Sequence, residues 1–195
     1  MEDYSNDKTS DASTIDATRL ESLRFPIGRF EEDPQTTRAR QKGWVDQIGR
    51  VPGELRALVQ DLSERQLDTP YRPDGWTVRQ VVHHLADSHL NAYVRTKLAL
   101  TEEEPTIKPF DPSAWAELPD GLTAPIESSM SLLEALHTRW VSALRALPSE
   151  GFMRTMNLPW KGKISTISQT VEYFAWHGRH HIAHVNTLRD KMGWW

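Results

Sequence analysis

The stretch Thr166-Ile-Ser-Gln-Thr-Val-Glu-Tyr-Phe-Ala-Trp-His-Gly-Arg-His-His-Ile-Ala-His-Val-Asn-Thr-Leu-Arg-Asp-Lys-Met192 decides the fold. Thr166 and Gln169 stand three residues apart at its start. In this capping-box pattern the Thr hydroxyl and the Gln side chain each satisfy a backbone N–H that a helix start leaves free. Ile167, Thr170, Phe174, Val185, Leu188 and Met192 then recur with the period of an amphipathic helix, and Gly193 stops it. A long helix with one apolar stripe must bury that stripe against other elements, so partners of the same length are required.

Three partners are legible upstream. Trp44, Ile48, Val51, Leu55, Leu58, Val59 and Leu62 follow three- and four-residue steps and predict a helix over about 37–62. Pro52 lies inside it, lacks a backbone N–H and crowds the preceding turn, so a kink is expected there. A second capping box, Thr77-Val-Arg-Gln80, opens a helix to about Thr101. Pro125 starts another, which carries Met130, Leu133, Leu136, Trp140 and Leu144 and ends before Pro148. Between these two lies a proline-rich connection with one short helical turn expected around 113–118. The segment before the last helix reads as loop with a short hairpin around Trp160 to Lys163. The expectation is an all-α four-helix bundle with one long crossover connection.

The chain has 195 residues, enough for one domain with a real core, taken as 23–195. Residues 1–22 are rich in Asp, Ser and Thr and are expected to form a disordered tail. The net charge is -4, and the bases are scattered among acids rather than gathered in a stripe, which argues against nucleic acid as a partner. No apolar run is long enough to span a membrane and no signal-peptide layout opens the chain, so a cytoplasmic protein is expected. Cysteine is absent, which excludes disulfides, a thiolate nucleophile and thiolate metal ligands. A bound metal must therefore be held by His, Asp or Glu.

Four of the eight histidines fall within 177–184. At ~100° per residue, His177 and His181 lie one turn apart on one side of the helix, so both rings can converge on one ion. His180 and His184 share the spacing, but His177 and His181 sit nearer the centre of the apolar stripe, leaving His184 as a supporting group or alternative ligand. A third ligand has to come from another helix. His84 lies on the face of the second helix marked by Val81, Leu85, Ser88 and Ala92, whereas His83 and His89 project elsewhere. His83, His89 and His137 are expected to be structural or solvent-facing. Three neutral imidazoles suit one divalent first-row ion, zinc or nickel, with an open position that can lower the pKa of a water to ~7 or ionise a thiol. Among the polar neighbours of His84, Asp87, Asn91, Tyr93 and Arg95 could orient a ligand or bind an anionic substrate. Asn91 and Arg95 share its side of the helix and are the better candidates, but even for these a solvated or salt-bridging structural role is the preferred reading. Trp76 and Trp176 read as packing around the site. Eight tryptophans for a modest core point to a homodimer, and the closing Gly193-Trp-Trp195 to a cover for the bundle end or an oligomer contact.

Gly75-Trp-Thr-Val-Arg-Gln-Val-Val-His-His-Leu-Ala-Asp-Ser-His89 and Trp176-His-Gly-Arg-His-His-Ile-Ala-His184 resemble the two signature segments of the DinB/YfiT-like family. The likeness extends from about Phe25 to the C-terminus. It implies an up-down-down-up four-helix bundle and a metal held by His84, His177 and His181. It further implies either a metal-dependent hydrolase or an S-transferase that joins a low-molecular-weight thiol such as bacillithiol to an electrophile, with S-transferase slightly ahead; the family also includes a thiol-dependent isomerase. The acidic N-terminal extension and the Trp160-Lys-Gly-Lys163 loop depart from the pattern and bear on substrate choice rather than on the metal. The competing expectation is a non-catalytic, metal-stabilised binding or stress-response module with a closed site.

Overall fold

The computed structural model describes residues 17–195. Most of the expected 1–22 tail lies outside the described residues. From Ala17 the chain is helical, in α1 (Ala17–Arg24). There follow α2 (Arg38–Val59), the short α3 (Glu64–Leu67) and α4 (Val78–Thr101), then α5 (Pro112–Ala116) and α6 (Pro119–Thr123). Next come α7 (Ile126–Arg145), α8 (Ser149–Phe152), the strands β1 (Thr155–Leu158) and β2 (Lys163–Thr166), and α9 (Ile167–Met192).

Both capping boxes form. In α9 the Gln169 N–H donates to Thr166 Oγ1 at 3.1 Å and the Thr166 N–H to Gln169 Oε1 at 2.8 Å. In α4 the equivalent bonds of Thr77 and Gln80 measure 3.2 and 3.0 Å. Gly193, at φ +67°, ends α9 in the left-handed conformation that a side chain disfavours. The α2 helix runs through Pro52 as one piece instead of splitting.

Side-chain contacts fix the direction of each long helix. Between α4 and α7, His83 meets Ser129, His89 meets His137 and Trp140 meets Thr96, so numbers rise together and the helices are parallel. Between α2 and α7, Arg56 reaches Glu127, Ile48 meets His137 and Asp46 meets Arg145, an antiparallel order. Gln41 with Ser168, Val51 with Gly178 and Leu58 with Arg189 make α2 and α9 parallel. The result is up-down-down-up, and the α4-to-α7 connection must travel back along α4. It does so through α5 and α6, held there by Gln80 Nε2 donating to the Ala116 carbonyl at 2.9 Å and Arg79 Nη1 donating to the Ala124 carbonyl at 2.9 Å. One helical turn was expected in this connection, and two are present, each with proline in its first turn. The expected hairpin also forms, but β1 and β2 run from Thr155 to Thr166, longer than its tip at Trp160 to Lys163.

Two apolar clusters fill the bundle. One gathers Ile48, Ala92, Trp140, Phe152 and Phe174, and the other Val51, Leu55, Val81, Leu85, Leu133 and Val185. His84, His89, His137, His177 and His181, all buried, lie at the join. Here α2 and α9 approach so closely that a Cβ on Gly178 would come within 2.5 Å of Val51 Cγ2. Val51 is fully buried and stiff at χ1, so it cannot turn aside. Gly178→Ala is therefore expected to cost about 1–3 kcal/mol, read as a lowered urea midpoint at unchanged m-value. The closing tryptophans divide: Trp194 packs on the second cluster, while Trp195 is largely exposed and donates Nε1–H to Asp190 at 3.1 Å. No helix among the described residues is long and apolar enough to cross a membrane.

Candidate metal centre

The bundle brings His84, His177 and His181 together, each offering a ring nitrogen within 4.8 Å of the others. His84 comes from α4, and the antiparallel α9 supplies the other two from successive turns. His84 Nε2 and His177 Nε2 are 3.2 Å apart. Two nitrogens bound to one tetrahedral ion at ~2.0–2.1 Å stand about 3.3 Å apart, so the spacing fits a first-row divalent ion. Burial pushes His84 down to about 3, with smaller contributions from His180 and His184. Burial likewise holds His177 and His181 well below the ordinary histidine value. All three rings are neutral at pH 7, the state a metal ligand requires.

A second group, His180, His181 and His184, is also close enough to hold an ion. Access to solvent separates the two groups: His84, His177 and His181 all line one cavity, and His184 does not. His184 Nε2 faces the Arg24 carbonyl at 3.1 Å and, since a carbonyl only accepts, carries the proton. Its Nδ1 faces His181 Nδ1 at 3.4 Å. His184 thus lies behind His181, between it and the backbone of Arg24. His180 instead stacks on Trp176 with centroids 4.5 Å apart.

His89 and His137, expected to be structural or solvent-facing, are buried structural residues, and they also connect to the cluster: His89 Nε2 lies 3.3 Å from His177 Nδ1, and His89 Nδ1 lies 2.9 Å from His137 Nε2. A face count along α4 placed His89 away from His84, which is correct, but His89 meets His177 across the interface instead. The spacing of His89 from His84 held no sign of this. Asn91 donates its side-chain amide to the Asp87 carbonyl at 2.9 Å on its own helix. His83 behaves as expected, bonded to Ser129 Oγ at 2.7 Å and to the Ala124 carbonyl at 3.1 Å.

The cluster forms the floor of a cavity of about 510 Å³, within the range of small-molecule sites. Trp76, whose ring lies 4.6 Å from that of His84, and Trp176 form part of its wall, together with Phe110 from the crossover and Trp160 from the hairpin. Arg95 also lines it. Its guanidinium lies over Trp160 at 5.0 Å and Phe110 at 5.9 Å, and its Nε–H has no hydrogen-bond partner. Lys161 and Lys163 stand at the same cavity. Lys163 pairs with Glu32 at 3.2 Å, whereas neither Arg95 nor Lys161 has an ion-pair partner among the described residues. Partial desolvation, then Lys163 and Arg95, hold Lys161 below its usual value.

Fold and site together define a class: an up-down-down-up helical bundle with three converging imidazoles at the floor of an open, aromatic and cationic cavity. Residues 47–185 match the family model of the DinB superfamily. A protein of Bacillus cereus strain 03BB102, named "Putative metal-dependent hydrolase", is 47% identical over 175 residues, spanning 90% of this chain and all of that one. A protein of Bacillus thuringiensis subsp. konkukian of the same descriptive name shows the same identity and coverage. The solved structure of YfiT from Bacillus subtilis, described as "a probable metal-dependent hydrolase with an unusual four-helix bundle topology", aligns at a TM-score of 0.86 and 44% identity, covering 89% of this chain and 99% of that one. The chain belongs to the DinB superfamily.

Proposed function

We propose that this protein is a metal-dependent enzyme that transfers a low-molecular-weight thiol to a small electrophile, with one of the two substrates bearing an anionic group. The observation that carries the reading is the opening of the three-histidine cluster into a cavity large enough for a substrate. A closed structural site has no such access. The ion to be held by His84, His177 and His181, zinc or nickel, supplies Lewis-acid activation of a thiol or a water.

The cavity wall favours the thiol. Metal-assisted hydrolysis of an amide commonly relies on a carboxylate to move protons, as in the zinc proteases. Glu32 is the one carboxylate on the wall among the described residues, and it is already engaged by Gln169 and Lys163. Thiol transfer needs less. A new S–C bond forms, the bond from carbon to the leaving group breaks with its electron pair, and the thiol proton passes to solvent. Aromatic rings on the wall suit an apolar electrophile, and Arg95 and Lys161 suit a carboxylate or phosphate on either substrate. A cytoplasmic setting, where small thiols stay reduced, suits the reaction. Hydrolysis is the second reading, favoured by the names of the Bacillus relatives.

Metal-loaded protein offered a panel of thiols with chlorinated aromatics and epoxides, beside a panel of esters and amides, separates the two. Metal-dependent thiol consumption supports transfer. Cleavage of esters or amides without thiol consumption selects hydrolysis. Arg95→Met is expected to raise KM for the anionic substrate about 10-fold or more, the size of a lost charged hydrogen bond, and to leave KM for a neutral analogue unchanged. An equal rise for both would remove the anion-binding role.

A further inference from the structure

We propose that two chains of histidines, each anchored on a backbone carbonyl, set the tautomers of His177 and His181 so that their Nε2 lone pairs face a common point, making His89, His137 and His184 positioning residues for the metal centre. The inference rests on the metal site of the preceding section for its purpose, but the hydrogen-bond order can be measured without metal.

The first chain begins at Pro52. Having no N–H, Pro52 cannot donate to the carbonyl of Ile48, the in-helix bond every other residue type makes at that place. His137 Nδ1 occupies the vacant acceptor at 2.7 Å. Because a carbonyl only accepts, His137 is protonated on Nδ1, and as a neutral ring it carries a lone pair on Nε2. His89 must then donate through Nδ1 across 2.9 Å, leaving its own Nε2 as an acceptor. That nitrogen takes the Nδ1–H of His177 across 3.3 Å. His177 Nε2 is thereby left as a lone pair, and it is the atom that faces His84. Each ring-to-ring contact pairs one nitrogen with another, so one of the two must accept, and the carbonyl at the end of the chain fixes which.

The second chain is shorter. The Arg24 carbonyl fixes the proton of His184 on Nε2, His184 Nδ1 accepts from His181 Nδ1–H, and His181 Nε2 is left for the cluster. In this way α1 is tied to the site. His84 has no such anchor. Its neighbour Ser88 Oγ, 3.2 Å away, donates or accepts equally well. His84 is therefore the ring that changes tautomer, giving Nε2–H to His177 in the metal-free protein and turning its lone pair to an ion when one binds. The arrangement extends the usual device in which a ligand histidine is oriented by its other nitrogen. Here it reaches through two further rings to a proline on a different helix.

The test begins with long-range proton–nitrogen NMR of the ¹⁵N-labelled, metal-free full chain. Expected are Nδ1–H tautomers at His137, His89, His177 and His181, and Nε2–H at His184. An Nε2–H tautomer at His177 or His181 overturns the proposal, and this reading is independent of whether metal binds. The second arm measures Zn²⁺ affinity by competition with a chromophoric chelator, together with the visible spectrum of the Co²⁺ form. His137→Leu, which can neither donate to Ile48 nor accept from His89, is expected to weaken Zn²⁺ binding about 10- to 100-fold and shift the cobalt bands. His137→Gln, whose amide can do both, is expected to recover most of the affinity. Equal affinity in the two variants and the unaltered protein overturns the positioning role. If the unaltered protein binds no metal yet shows the expected tautomers, the hydrogen-bond order stands and the metal reading fails.

Discussion

Replacing His177 and His181 together by alanine is expected to take the purified protein from about one divalent ion per chain to background, and thiol-transfer activity with it. The two residues lie one turn apart on α9 and supply two of the three nitrogens in the cluster. His84 alone cannot hold an ion against water, because affinity at such a site comes from closing several ligands on one centre at once. Elemental analysis beside the unaltered protein measures the loss directly. A second variant, His184→Gln, separates the two candidate clusters. If His184 supports His181 through its Nδ1, the ion is retained with weakened affinity; if His180, His181 and His184 were the true site, stoichiometry would collapse in this variant and survive His84→Ala. Circular dichroism on each variant shows whether the helices remain. Absence of metal from the unaltered protein, even after loading, would return all eight histidines to packing and leave the bundle without an active centre.

The bundle was legible in the sequence because its four long helices carry their own boundaries. Thr77 with Gln80 and Thr166 with Gln169 name helix starts to the residue, and the apolar steps of α2 and α7 hold through every turn. The pair His177 and His181, and the face of α4 that carries His84, were legible for a related reason: spacing along one helix is local information, and three- and four-residue steps state which side chains share a face. That the three converge is what the packing of α4 on α9 adds. What the sequence withheld is whatever depends on how helices face one another. His89 and His137 are 48 residues apart, and their contact follows from α4 and α7 being parallel neighbours, a consequence of the crossover that no helical period encodes. Pro52 was readable as a break in hydrogen bonding along α2. That the freed carbonyl would be taken by a ring from α7 was not, since it depends on the register of two antiparallel helices. The hairpin that carries Trp160 and Lys161 to the cavity was legible at its tip but not in the reach of its strands, because strands of four residues are too short to display alternation.

Burying so many histidines has a cost that pH exposes. In the unfolded chain each ring takes a proton near pH 6.5, whereas in the fold burial lowers His84 and His184 to about 3 and His137 and His180 to about 4. Between those values the unfolded chain binds more protons than the folded one, so stability falls as pH falls. The stabilisation is complete above about pH 6.5 and is lost progressively toward pH 4 and 3. At pH 5 each of these rings costs about 2 kcal/mol relative to neutral pH; because His84, His180 and His184 shift one another their costs do not add in full, but two or three of them already take up much of the stability of an ordinary domain. His89, His177 and His181, also held well below 6.5 by burial, act in the same direction. The metal-free protein is therefore expected to lose its helical circular dichroism cooperatively near pH 5, far above the range where carboxylate protonation usually unfolds a bundle. An ion bound only by the folded state adds stability by mass action, so saturating zinc is expected to move the midpoint to lower pH. A helical signal that stays flat down to pH 4 without metal would overturn this expectation and show that burying the rings costs the fold less than their lowered pKa values imply.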